Sequence, residues 1–157
     1  MRNSRMPRVT VVGTGNLLLK DEGVGIHAVR ALEGLVPAQG STQIVDGGTS
    51  PDILSLLSPP DKLVIVDAAR GGGKPGTIYR FGPEEMSEGE SPVSLHEFNL
   101  GTALKTMKHR GVEPGQVVII GIEPEEIDWG LELSSTLKKE MPRILEVVLE
   151  EIGLGHL

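Results

Sequence analysis

Glu22, Asp67 and His96 are the residues whose types and surroundings could do hydrolytic or metal-assisted chemistry. Asp67 closes the apolar run Lys62-Leu-Val-Ile-Val-Asp67. A carboxylate half-buried at the end of such a strand needs hydrogen bonds or a cation to offset its lost hydration. Ala68 and Ala69 follow it instead of a helix start, so a capping role has nothing to cap. Asp46 closes a second run, Thr42-Gln-Ile-Val-Asp46, but Gly47 and Gly48 behind it favour an Asx turn and a structural reading. Glu22 stands beside Asp21 at the entrance of a helical pattern, where the helix dipole favours negative charge. Asp21 is assigned the capping role there, which leaves Glu22 to project from the first turn toward the strand ends, free to bind a cation. Glu123, behind the last strand, reads as structural, with a supporting role at the site held in reserve.

Four histidines compete to supply an imidazole. The helical step carries His27 away from the Glu22 face, so it reads as a surface residue. His109 lies in the basic last turn Lys108-His109-Arg110, where the helix C-terminus accounts for it. His156 is in the tail. His96 comes from a loop ahead of an amphipathic helix, the kind of place that carries catalytic groups; on position alone a functional and a structural role weigh equally. Two carboxylates and one imidazole suit Zn, Ni, Co or Fe and leave a coordination position open, as hydrolysis requires. An ion there would polarise a peptide carbonyl and lower the pKa of its water, with a carboxylate outside the ligand set acting as base. Other peptidase routes are poorly represented. The chain has no cysteine, no G-x-S-x-G elbow, no H-E-x-x-H helix and no Asp-Thr-Gly or Asp-Ser-Gly.

The elements that must position these residues follow from hydrophobic pattern. Arg8 to Gly13, Thr42 to Asp46, Lys62 to Asp67 and Gln116 to Ile122 are β-branched runs, and Thr77 to Phe81 reads as a further strand, antiparallel at an edge. Helical spacing follows the first strand (Val24, Ala28, Val29, Leu32, Leu35), the second (Ile53, Leu54, Leu56 and Leu57 behind Pro51), and the segment from about Asn99 to Gly111. The last helix spans Ser134 to Ile152, and Pro142 should kink it or mark off a short first helix. Ala68 to Gly76 and Glu84 to Pro92 read as loops. Strands alternating with helices make an α/β fold with a mostly parallel five-stranded sheet, and its ligands belong outside the carboxyl ends of the strands.

At 157 residues the chain fits one domain, 1–157, with 1–7 as a frayed tail and Met6 as a possible natural start. The net charge of −7 argues against a nucleic-acid partner, and no apolar run approaches membrane-spanning length, which gives a cytoplasmic expectation.

Gly13-Thr-Gly-Asn-Leu-Leu18 looks like a dinucleotide fingerprint, but Leu18 occupies the third glycine position and no Lys-Ser/Thr follows. Asn16 instead reads as bracing the tight loop. The longer stretch Gly13-Thr-Gly-Asn-Leu-Leu-Leu-Lys-Asp-Glu-Gly-Val-Gly25, with Asp46-Gly-Gly-Thr49, Val66-Asp-Ala68, Leu95-His-Glu97 and Gly121-Ile-Glu-Pro124 in order, resembles the hydrogenase maturation endopeptidases. The resemblance covers Val9 to Ile152. It implies a three-layer αβα sandwich and an endopeptidase whose Glu22, Asp67 and His96 meet nickel. The metal would arrive with the substrate, although other divalent ions such as Zn or Cd would fit the site. The implied partner is the large-subunit precursor of a nickel-iron hydrogenase, cut after a His or Arg near its last Cys-x-x-Cys pair to release a C-terminal extension, and not cut without nickel. Asn99 departs from the smaller residue common in the family, away from the trio. Trp129, within Glu123 to Leu133, either lines the substrate cleft or fills the core margin. Two rival readings are a non-catalytic chaperone that checks the precursor's metal and a Rossmann-like nucleotide-binding protein.

Overall fold

The strands buried on both faces are the apolar runs that show no alternation. In the computed structural model, which describes residues 7–37, 40–49, 54, 58–86, 94–95 and 100–153, these are β1 (Val9–Gly13) and β3 (Lys62–Arg70). Around them lie β2 (Thr42–Asp46), β4 (Ile78–Phe81), β5 (Ser94–Leu95) and β6 (Gln116–Ile122). The main sheet has the order β2-β1-β3-β6-β4. Its first four strands are parallel, and β4 runs antiparallel to β6 at the edge, as the sequence suggests for Thr77 to Phe81.

Alternation along β3 divides the core in two. Val64, Val66 and Ala68 pack with Val9 and Val11 beneath α1 (Val24–Leu32) and α3 (Ser135–Glu151), against Val29, Leu32, Leu137 and Ile144. Leu63 and Ile65 face the other way with Val12 and Ile119, against Leu54 and against Ala103 and Met107 of α2 (Leu100–His109). The result is a three-layer αβα arrangement. Leu63 and Ile65 are fully buried, and truncating either to alanine would cost about 2–5 kcal/mol.

Two local features differ from the sequence reading. β3 does not stop at Asp67 but continues through Ala68, Ala69 and Arg70. Alanine carries little strand signal, and the extension is held by tertiary pairing instead: Ala68 opposite Ile122 of β6, and Ala69 and Arg70 opposite Leu95 and Ser94 of the short β5. Asp67 therefore lies inside a strand, in phase with Leu63 and Ile65 on the α2 side. Within the acidic stretch, Pro83–Met86 form a 3-10 turn. α3 runs through Pro142 as one helix with no separate first segment, capped by Ser134, whose Oγ accepts the Leu137 N–H at 3.3 Å.

The helix expected behind Pro51 lies outside the described residues apart from Leu54, which is buried. The tail of residues 1–7 likewise lies outside them, Pro7 excepted. Among the described residues no helix is long and apolar enough to cross a membrane.

Candidate functional site

β1 and β3 run in register until Gly13 faces Val66, and Thr14 N–H extends the ladder by one bond to the Val66 carbonyl at 2.9 Å. There the β1 chain turns away, and the next residue on β3 is Asp67. The turn is tight. Asn16 braces it as the sequence suggests, accepting from Leu18 N–H on its side chain (2.9 Å) and from Leu19 N–H on its carbonyl (3.1 Å). Lys20 adopts a left-handed φ of +47°, unusual for a residue with a side chain, and opens the 3-10 turn Lys20–Gly23 that carries Glu22 into α1.

Glycines let this turn settle directly on the strand ends. A Cβ at Gly25 would stand 2.1 Å from the Val66 carbonyl oxygen and 2.5 Å from that of Thr14, and one at Gly13 would stand 2.2 Å from the Gly25 oxygen. No side chain fits between the first turn of α1 and the backbones of β1 and β3. At Gly15 a Cβ would lie 2.0 Å from the Glu22 carbonyl oxygen and 3.5 Å from Asp67 Oδ1. The signature glycines thus bring Glu22 and Asp67 to the same corner of the sheet.

Both acids are buried, each about 1% exposed. Asp67 Oδ1 accepts the Ala68 N–H at 2.8 Å, whereas Oδ2 is buried with no hydrogen-bond partner among the described residues. Burial drives the Asp67 pKa well above the ordinary carboxylate range. The Ala68 N–H and the Thr14 hydroxyl oppose that shift, and the negative charge of nearby Glu22 adds to it. Thr14, fully buried between the two signature glycines, is a site residue that the sequence reading passed over. Its position at a strand exit was the available signal.

Asp21 does not cap α1. The N-cap of that helix is Gly23, with no side-chain bond. The Asp21 carboxylate reaches instead to the segment behind β6, where it accepts from the backbone of Glu125, Glu126 and Ser134 and from the Ser134 hydroxyl. Asp46 makes the expected Asx turn, accepting from Gly48 N–H at 3.2 Å. Glu123 is structural as expected: Oε1 accepts from the Tyr79 hydroxyl at 2.5 Å and from Gly71 N–H at 2.8 Å, which ties down the loop behind β3. Burial works to raise the Glu123 pKa, but the Tyr79 hydroxyl, the Gly71 N–H and the Arg70 charge outweigh it and hold the carboxyl below its usual value.

His27 is not a surface residue. Its ring is half-buried against the backbone of Leu131, Nε2 is buried without a hydrogen-bond partner among the described residues, and burial lowers its pKa. His109 ends α2 as expected. Trp129 does not fill the core margin: it is 76% exposed, beside the exposed Leu131.

His96 and His156 lie outside the described residues. The structure thus brings together two members of the expected trio. Among the described residues no group of three or more His, Asp or Glu side chains is arranged to hold a metal ion. Leu95 of β5 stands opposite Ala69, two residues beyond Asp67 on β3.

Comparison with known proteins gives this corner its context. Residues 26–151 match the profile of the HycI hydrogenase maturation protease family. The chain is 31% identical to the hydrogenase 2 maturation protease of Escherichia coli over 145 residues, covering 90% of this chain and 88% of that one. It is 34% identical to the hydrogenase expression/formation protein HupD of Thiocapsa roseopersicina, covering 94% and 68%. Among solved structures, the hydrogenase maturating endopeptidase HybD from E. coli superposes with a TM-score of 0.79 at 30% identity, over 95% of this chain and 94% of that one. The NiFe hydrogenase maturation protease HycI from Thermococcus kodakarensis superposes at 0.74 with 25% identity, over 96% and 95%. The third position of the Gly13 loop, where a dinucleotide fingerprint needs glycine, is the half-exposed Leu18. The chain belongs to the hydrogenase maturation protease family and is, with its relatives, an endopeptidase.

Proposed function

We propose that this protease removes the C-terminal extension from the large-subunit precursor of a nickel-iron hydrogenase, and that it meets the nickel already seated in that precursor through Glu22, Asp67 and His96. The observation that carries this reading is the buried carboxylate pair. Two acids are withdrawn from water at one corner, one oxygen of Asp67 has no hydrogen-bond donor among the described residues, and the charge of Glu22 raises the pKa of its neighbour. Such an arrangement is costly for the protein alone, and a cation brought by a substrate would offset the cost. Supporting it, the E. coli relative is by name a maturation protease of hydrogenase 2. The reading of His96 draws on its covalent neighbour Leu95, which pairs with β3 close to Asp67.

Nickel is here part of the substrate. Held by Glu22, Asp67 and His96, it would supply a Lewis acid for a peptide oxygen or water. The chain itself supplies orientation through Glu22 and, in Asp67, a carboxyl whose raised pKa suits it to hold a proton and release it when a cation arrives. The checkpoint follows physically: without the cation the buried acids have no metal to grip.

Glu22→Gln, Asp67→Asn and His96→Ala are each expected to abolish processing of nickel-loaded precursor while leaving the fold intact. Mass spectrometry showing normal trimming by all three variants would overturn the assignment.

A further inference from the structure

Outside the acid pair, one side chain binds two distant parts of the chain together. Asp21 is fully buried, and its carboxylate accepts four hydrogen bonds. Oδ2 receives Glu125 N–H and Glu126 N–H at 2.9 Å each and the Ser134 hydroxyl at 2.7 Å, and Oδ1 receives Ser134 N–H at 2.7 Å. All four donors are uncharged, so this buried acid is satisfied by geometry and not by a counter-ion. The backbones zip together on either side of it. Asp21 N–H donates to the Glu126 carbonyl at 3.1 Å, Lys20 N–H to that of Gly130 at 2.9 Å, and Gly130 N–H to that of Leu18 at 2.9 Å.

The turn that Asp21 fastens is the one that carries Glu22. Four residues of 3-10 helix have little stability of their own, this turn has no side-chain cap, and it begins at left-handed Lys20. Its orientation over β3 therefore depends on what grips it from outside. We propose that Asp21 is a positioning residue for peptide hydrolysis: by clamping the segment 125–134 to the 3-10 turn, it holds the Glu22 carboxylate toward Asp67. The proposal rests on the reading of Glu22 and Asp67 as the acids that meet the precursor's nickel. The clamped segment also carries Trp129, the single tryptophan of the chain and an exposed one, so its emission reports on the clamp.

The test uses the full chain, nickel-loaded hydrogenase large-subunit precursor, and three variants. Asp21→Asn keeps the shape but replaces one acceptor oxygen with an amide that cannot accept. Ser134→Ala keeps Asp21 and removes one donor. Glu22→Gln controls for the underlying reading. For folded Asp21→Asn we expect kcat for cleavage to fall about 10- to 100-fold, the range for supporting groups behind a metal-contacting residue, with KM nearly unchanged. Trp129 fluorescence anisotropy should drop with it. For Ser134→Ala we expect a smaller loss in the same direction, and this variant carries the test if Asp21→Asn does not fold. A purely structural role would lower the melting temperature while leaving kcat per folded molecule unchanged, and that result in both variants overturns the proposal while Glu22→Gln remains inactive. Wild-type cleavage by Glu22→Gln would instead bring down the reading beneath it, and the proposal with it.

Discussion

Glu22 and Asp67 meet across Gly15, where an added Cβ would stand 2.0 Å from the Glu22 carbonyl oxygen and 3.5 Å from Asp67 Oδ1. The absence of a side chain at that point is what lets two acids, far apart in the chain, share one corner. Gly15 also holds a φ of +136°, which L side chains rarely adopt. Gly15→Ala is therefore expected to push the 3-10 turn off the sheet, destabilising the protein by about 1–3 kcal/mol or more and abolishing processing. Thermal unfolding and a cleavage assay check both effects; a variant with unchanged melting temperature and activity would show that the close approach is not needed.

Asp67→Asn should make the protein more stable and inactive. An unfolded aspartate loses its proton near pH ~4, whereas burial holds the folded pKa well above that. The folded chain thus binds the proton more tightly. The stability contributed by this group is fully present below the unfolded pKa and is lost as pH rises toward the folded one. Removing the ionisable group should raise the melting temperature at pH 7. The gain should shrink as the pH approaches 4. A melting temperature that falls at every pH would refute the sign.

Tyr79→Phe tests the loop support behind β3. Glu123 would lose the hydroxyl that donates to its Oε1 and keep the Gly71 N–H, at a cost of about 1 kcal/mol. Because Glu123 has a depressed pKa, its contribution is present above the unfolded carboxylate pKa and is lost as pH falls through the folded one. The variant should therefore lose less stability than wild type on acidification between neutral pH and the carboxylate range. Urea unfolding across that range measures the difference, and parallel curves would contradict the role given to Tyr79.

Much of this architecture could be read from the chain because burial leaves a direct record. Continuous apolar runs named β1, β3 and β6, and the Ser134 to Ile152 stripe gave α3 to within a residue at each end. Side-chain partners that depend on tertiary contact left no such record. Asp21 looked like a helix cap because it stands at a helix entrance; its four donors come from residues more than a hundred positions away. β3 looked finished at Asp67 because Ala68 and Ala69 carry no strand signal, and only pairing with Ile122 and Leu95 prolongs it. His27 looked exposed because helical spacing says nothing about the Leu131 backbone that its ring meets. Asp67 was legible because an acid closing an apolar run, with Ala68 and Ala69 behind it instead of a helix start, has few structural reasons to be there.

The most direct measurement compares nickel-loaded with nickel-free large-subunit precursor as substrates for the unmodified chain, with intact mass read after a single turnover. Loss of the C-terminal extension from the loaded precursor alone is the result expected if Glu22 and Asp67 grip the substrate's metal. Equal trimming of the nickel-free precursor would contradict it.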